Sequence, residues 1–562
     1  MTSVTRYVGG PGTGKTTSLL GFLEKERDEH DTALKDIYFL TFTRSQRDDV
    51  RDRIAKIYPD AIKEDIEKRV RTIHGAALSE LIKEGLIPAR TKDFNPILRE
   101  GKNATLYAEF ADSVGLRYSS RVSTEPDNDT PQKYTGNIFF NISRYVTQQY
   151  TWQPEDWIWV KERTGETLPA IYDVPELLRK WADYKKERGY WEDDDYINLA
   201  VAKNIVPSVG VLVVDEFQDL SPSQYMLYRA WRDSGEISRI YIAGDPNQAI
   251  YGFRGADPAF LEKTTAVDRG AWAPGEVPQS HRCPVNIVAT ADKILGTKSN
   301  MTPKEGDGRV SLFAPQTTED FVKSVEKLHR KYGKVLVLCR YRFFISNFAT
   351  ALSEAGIPCT GFSPNRVWGW EKVMADSGAW INMKEVFHTC LAIRGYQETG
   401  APRTIPASVA RDFAALLGVE IPPIAIHKSE IDTGVFISTL PGAERSILAD
   451  VIPKLSIAPR KDGRDPRKYL AAAMQRDHTI KPGEVILDTI HASKGLQAPA
   501  VILHTGYLKK REIDYIRSPR IQGEERRVYY VGCTRASEAL YFMDGLAADH
   551  PSAPPLTEAH LV

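Results

Sequence analysis

The stretch "GGPGTGKT", Gly9 to Thr16, limits what this chain can fold into more than any other. It fits G-x-x-x-x-G-K-[ST] and lies between an apolar, strand-like segment ("VTRYV") and a helix-like one ("TSLLGFLEKE"). A glycine loop between a strand and a helix turns backbone N–H groups toward a phosphate, and the helix N-terminus adds partial positive charge. In this pattern Lys15 reaches the β- and γ-phosphates and Thr16 ligates Mg2+. Gly9, Gly12, Thr13, Gly14 and Thr17 belong to the same expected nucleotide-binding set.

The fold class follows from what comes after the loop. "IYFLTFT", "VGVLVVDE" and "RIYIA" are short apolar runs separated by helical patterns, which predicts a parallel sheet with crossover helices. The pattern recurs from "KVLVLCRY" through "GEVILDTIHASKG" to "ERRVYYVGCTRASEALYFMDG". Two α/β units are therefore expected, each interrupted by an insertion. The boundaries read as 1–75 and 191–275 for the first unit, around a mainly helical insertion at 76–190. The second unit reads as 276–365 and 480–546, around a short insertion at 366–479, with a flexible tail at 547–562. A chain of 562 residues is too long for one core, and about three to four domains is the natural expectation.

Composition excludes some classes. Lys+Arg and Asp+Glu both number 74, so no blanket of basic charge coats the chain, although a local basic groove remains compatible. The five cysteines include no C-x-x-C pair, which argues against a disulfide framework or a zinc site. The amino-terminal segment lacks the apolar core of a signal peptide, and no apolar run is long enough to span a membrane. A cytoplasmic protein, monomeric or weakly dimeric, is the expectation.

Further residues carry chemistry. Asp215 and Glu216 end a buried strand, where one carboxylate can hold Mg2+ and the other can accept a proton from water. Arg282 in "PQSHRCP" and Arg535 in "YVGCTRASE" are cations suited to phosphate charge that spreads during transfer. "TIHG" supplies Thr72 and His74, and "DTIHASKG" supplies Thr489 and His491, a doubled motif suited to a phosphate backbone. Phe42 could stack on a base. In "GDPNQAIYGFRGA" a phosphate sensor would use Gln248 or Arg254, and a stacking surface would use Tyr251 or Phe253. The Trp-rich insertion reads better as a helical core than as a nucleic-acid surface. "DDD" (Asp193 to Asp195) reads better as a helix cap than as a metal cluster.

In this order the motifs resemble those of superfamily 1A DNA helicases of the UvrD/PcrA/Rep type. The resemblance rests on "GGPGTGKT", "FLTFTRSQ", "RTIHG", "VVDEFQDLSPSQ", "GDPNQAIYGFRGA", "PQSHRCP", "LDTIHASKGLQ" and "ERRVYYVGCTRASE", which span both units. It implies two RecA-like P-loop domains, parallel sheets with flanking helices, each with an inserted and mainly helical subdomain. It also implies ATP with Mg2+ in a cleft, and single-stranded DNA and its junctions with duplex as partners, with 3′ to 5′ movement. By the same resemblance Asp215 holds Mg2+, Glu216 activates water, Gln248 senses the γ-phosphate, and Arg282 and Arg535 are arginine fingers. Phe42, Thr72, His74, Tyr251, Phe253, Arg254, Thr489 and His491 would contact DNA. His281, Gly495 and Gln497 fall at nucleotide-side positions.

The chain departs from the family at several of these places. His281 stands where relatives commonly carry a Tyr, Gln497 replaces a Glu and Phe253 replaces a Trp. No adenine-reading Gln segment precedes Gly9, so ATP over GTP is expected to be a loose preference. The short second insertion keeps an alternative open: a nucleotide-switched remodeller that displaces proteins or strands with little processive unwinding.

Overall fold

The computed structural model describes residues 2–42, 44–120, 134–164, 166–252, 255–264, 267–268, 277–361, 367–368, 372–374, 380–419, 426–428, 433–440, 442–457, 465–476, 480–481, 483–546 and 551–558. The chain divides into two compact units: Met1–Gly308 with Lys510–Thr534 and Pro554–His560, and Arg309–Lys509 with Arg535–Ala553 and Leu561–Val562.

The first unit is built on strands β1 (Ser3–Val8), β2 (Ile37–Thr41), β3 (Val70–Thr72), β4 (Val211–Val214), β5 (Arg239–Gly244) and β6 (Val267–Asp268). They lie in the order β3-β2-β4-β5-β1-β6, and every pairing is parallel. Because helices cover both faces, the central strands read as unbroken apolar runs. Alternation inside those runs splits the core. Ile37, Phe39, Val211 and Val213 join one buried cluster, and Tyr38, Leu40, Leu212 and Val214 join another. All strands run the same way, so their carboxyl ends share one edge, and Gly9, Phe42, Ile73, Asp215 and Asp245 each follow directly.

Inside the first insertion, helices Ala104–Ser113, Thr135–Thr147, Trp157–Thr164 and Val174–Glu187 gather their own buried cluster. Trp181 is 1% exposed and packs its ring on Tyr107, Phe110 and Phe140. These rings are core, with no face free for a base. The acidic triplet opens the Asp193–Ala202 helix, where Glu192 and Asp195 form a capping box. Burial, then the charges of Asp193 and Asp195, pushes Asp194 up to about 7.

The second unit carries a seven-stranded sheet in the order 367–368, 359–360, 485–489, 335–339, 498–504, 536–543, 309–313. Only the pairing of the first two is antiparallel. The second insertion has its own buried cluster, from Ile381 to Met474. It is not purely helical: Thr404–Pro406, Ile426–Lys428 and Thr433–Phe436 form a small antiparallel sheet beside its helices.

Two expected boundaries move. Residues 277–308 and 510–534 were expected in the second unit but pack with the first. The cause is a local knot of structure: strands Gln279–Pro284 and Thr302–Lys304 pair, and the Val285–Leu295 helix lies on the Pro519–Cys533 helix. The expected flexible tail is also partly folded, since Pro554–Glu558 is helical, with Leu556 buried against the same pair. No helix among the described residues is long and apolar enough to cross a membrane.

Candidate nucleotide and nucleic-acid site

The loop after β1 is held from several sides. Gly9 N donates to Gly244 O (3.2 Å), Gly10 N to Asn300 O (2.7 Å), and Ser280 Oγ to Pro11 O (2.7 Å). His281 N donates to Gly12 O (2.9 Å), so the Gln279–Pro284 strand is laced to the loop. Gly12 (φ 77°) and Gly14 (φ 82°) are both left-handed. A Cβ on Gly12 would also lie 2.5 Å from Arg282 Cβ, so only glycine fits between the loop and this strand. The Lys15–His30 helix starts with no side-chain cap and no acid in its first turn, which leaves its leading N–H groups to an anion.

Lys15 is buried and curls back, its Nζ donating to Gly9 O (2.8 Å) and Gly10 O (3.1 Å). Burial lowers its pKa despite the charges of Asp245, Glu216 and Asp215. Thr13 Oγ1 donates to Gly10 O, and Thr16 Oγ1 donates to Asp215 Oδ2 (2.7 Å). Burial, then the charge of Glu216, pushes Asp215 up to about 6. Thr17 Oγ1 faces outward and accepts from Arg53.

Glu216 sits in the left-handed region (φ 54°, ψ 43°), an uncommon conformation for a residue with a side chain. Gln46 Nε2 (3.3 Å) and Gln218 Nε2 (2.5 Å) each donate to its carboxylate. Gln218 is fully buried and faces two ways, because its Oε1 accepts from Asp245 N (2.9 Å). Asp245 in turn accepts from Gln248 Nε2 (2.9 Å) and Asn247 N (3.0 Å). A chain of hydrogen bonds thus runs from Glu216 through Gln218 and Asp245 to Gln248. Gly244 makes room for it, since a Cβ there would stand 2.5 Å from Gln218 Oε1. Sequence reasoning found both ends of this chain and missed Gln218, Asp245 and Gln46. The available signal was a Gln two residues after Glu216 inside "DEFQD".

Arg282 belongs to the first unit and donates through Nη1 to Thr534 O (3.2 Å). Burial lowers its pKa, and Glu216 is among the charges that oppose the shift. His281 is exposed and meets the loop through its backbone. Arg535, by contrast, lies in the second unit, 1% exposed, with Nη1 donating to Leu496 O (3.1 Å). Gly495 (φ 86°) and Gln497 flank that same Leu496. In this unit Thr489 ends a strand and its Oγ1 accepts from Ala492 N, just after His491.

The expected DNA contacts divide. Phe42 is half-buried just past β2 and its ring lies 4.9 Å from that of Tyr251. Tyr251, offered above as a stacking ring, is itself 8% exposed and lies against Phe42. The loop is pinned by Arg527 Nε on Ala249 O (2.9 Å), and a Cβ on Gly252 would strike Glu524. Phe253 and Arg254 lie outside the described residues. Thr72 Oγ1 accepts from Gly75 N (3.2 Å) as the N-cap of the Ile73–Lys83 helix, and the His74 ring is bonded to Gln224 Nε2. A cavity of about 460 Å³ opens beside Phe42 and His74; Arg99 and Arg144 of the insertion line it together with acids such as Glu100, Asp193, Asp194 and Asp219.

Two family descriptions match the chain, the UvrD/REP helicase N-terminal domain over residues 2–266 and the UvrD-like helicase C-terminal domain over residues 467–544. The chain belongs to the UvrD/PcrA/Rep type of superfamily 1A helicases. Both sheets of this UvrD-type helicase are accordingly RecA-like. Relatives match along nearly the whole length. A Mycobacterium tuberculosis protein named ATP-dependent DNA helicase UvrD2 is 23% identical, covering 94% of this chain and 75% of its own. A Leuconostoc citreum protein named ATP-dependent DNA helicase PcrA is 21% identical, covering 96% and 80%. A Rickettsia typhi protein named DNA helicase II is 21% identical, covering 95% and 88%.

Proposed function

We propose that this chain is an ATP-dependent DNA helicase and translocase that couples Mg-ATP hydrolysis to 3′ to 5′ movement along single-stranded DNA and to duplex unwinding. One observation carries the reading. A single edge of the first sheet holds the phosphate loop, the Thr16–Asp215 pair, Glu216 and Gln248, with the Phe42–Tyr251 ring pair beside them. The family membership and the names of the relatives agree with it.

The residues fit the groups this chemistry needs. The Thr16 hydroxyl and the Asp215 carboxylate are hard oxygen donors side by side, the kind of partial ligand set that Mg2+ takes together with phosphates and water. When bound, the ion would neutralise charge on the β- and γ-phosphates. Lys15 and the N–H groups of the glycine loop bind the phosphates. Glu216 takes the proton of the attacking water as its oxygen bonds to the γ-phosphorus and the bond to the ADP oxygen breaks. Arg282 stabilises the phosphate charge, and the family resemblance gives Arg535 the same task. On the DNA side, Phe42 stacks on a base, with Thr72, His74, Thr489 and His491 along the backbone.

Single-stranded DNA should stimulate ATP hydrolysis, and a forked duplex should be unwound. Phe42→Ala should lower the stimulated rate and the unwinding rate by about tenfold, the loss of roughly one stacked base, while hydrolysis without DNA changes little. No stimulation of the parent by single strands would overturn the motor reading.

Gln218→Leu tests the internal chain of hydrogen bonds. It fills a similar volume but cannot hold Glu216 or Asp245. The stimulated kcat should fall about 10–100-fold with KM for ATP little changed, the usual size for removing an outer partner that orients a reacting group. An unchanged kcat would mean that Glu216 needs no such support.

A further inference from the structure

The chain is electrically neutral overall, yet one surface hollow of the first unit collects cations. A cavity of about 380 Å³ is lined by Arg47, Arg51, Lys68 and Arg71 together with Thr72. Two carboxylates, Glu64 and Glu67, share the rim, so four positive groups face two negative ones. The cations come from three elements: Arg47 and Arg51 from successive turns of the Arg44–Ile57 helix, Lys68 from the Lys63–Arg69 helix, and Arg71 from β3.

Their bonds show how the hollow is built. Arg51 donates to Val70 O and Glu67 O, and Arg71 donates to Lys68 O (2.7 Å) and Gly75 O (3.2 Å). Backbone carbonyls orient both guanidinium groups; Arg51 also lies 3.7 Å from Asp48 Oδ1, whereas Arg71 has no carboxylate ion pair among the described residues. Burial, then the charges of Arg47 and others including Arg71, lowers the pKa of Arg51. Arg47 and Lys68 differ, because their bonds go outward to neighbouring acids, Asp48 and Asp65.

We propose that this hollow is a phosphate-binding site for the backbone of single-stranded DNA, extending the strand's track outward from Thr72. The inference rests on the motor reading above and deepens it. Thr72 lines the hollow and its Oγ1 accepts from Gly75 N, so it has one hydroxyl proton to give a phosphate, and the positive charge at this place comes from the surrounding cations. Lys and Arg groups that neutralise phosphates release counterions, so the site should register in the salt dependence of binding.

The test uses the full chain with a short oligothymidylate, enough to cover Phe42, and a longer one. Arg47→Gln with Lys68→Gln removes two charges whose bonds hold no backbone in place. For the longer strand, affinity at about 50 mM salt should fall about tenfold, and the log–log salt slope between about 50 and 200 mM should become shallower by about 1.4, about 0.7 for each charge removed. The short strand should bind as it does to the parent. Arg47→Lys with Lys68→Arg keeps the charge and should restore the parental slope. Lys68→Glu, a reversal on an exposed side chain, should weaken the long strand further. An unchanged slope in the neutral variant, while the parent binds, would overturn this site alone. Equal losses in the charge-retaining variant, or a loss seen only with blunt duplex, would also overturn it. A parent that binds no single strand would overturn the motor reading itself.

Discussion

Glu216→Gln should reduce DNA-stimulated ATP hydrolysis by about 10²–10⁴-fold, the range for losing a general base. The substitution keeps size and shape, so the left-handed backbone at φ 54° and the contact with Gln218 have no steric reason to change. What it removes is the capacity to accept a proton from water. Nucleotide affinity should stay within a few-fold, because Lys15 and the glycine loop are untouched. A fluorescent ATP analogue reads binding, and single-turnover hydrolysis reads the chemical step. Lys15→Ala is the contrasting control, expected to weaken binding as well. A loss of less than about tenfold in Glu216→Gln would remove Glu216 from the role of base.

The second large effect is structural. Lys185→Met should cost the first insertion about 3–5 kcal/mol, the usual penalty for stranding buried charges. Lys185 is 5% exposed, and its Nζ donates to Glu192 Oε2 (2.8 Å) and Asp195 Oδ2 (2.5 Å). Glu192 accepts also from Tyr107 Oη (2.6 Å) and Trp181 Nε1 (3.0 Å), so the cluster ties two helices to the start of a third. Burial alone would lower the Lys185 pKa, but the charges of Asp195 and Glu192 raise it. Without the ammonium, two carboxylates face each other in the interior. Amide exchange in the Val174–Glu187 helix should accelerate about a hundredfold or more, since each factor of ten is about 1.4 kcal/mol. Lys185→Met with Glu192→Gln should recover part of the loss. Unchanged exchange would show that the cluster adds little to stability.

Much of the candidate nucleotide site was legible because a phosphate-binding pattern uses contiguous residues. A loop such as "GGPGTGKT" specifies its own glycines, lysine and hydroxyl within one turn, and flanking apolar runs place it on a sheet. The acidic pair at 215–216 could be read for the same reason. The burial of Tyr251 was not legible, because its neighbour Phe42 comes from the end of another strand. The boundary at 510–534 misled because the Pro519–Cys533 helix directly precedes a strand of the second sheet, yet its buried face packs on the Val285–Leu295 helix.

By itself the sequence determined the α/β class, the position of the candidate phosphate loop and the order of the motifs. These depend on local periodicity and on residue types a few positions apart. Only the tertiary structure decided which of those groups meet. Thr16 reaches Asp215 across 199 residues, Ser280 holds Pro11 across 269, and Gln218 joins Glu216 to Asp245 across a strand. The physical reason is that a parallel sheet brings the ends of distant strands to one edge. Which side chains then touch is set by strand order and packing, and no local pattern records either.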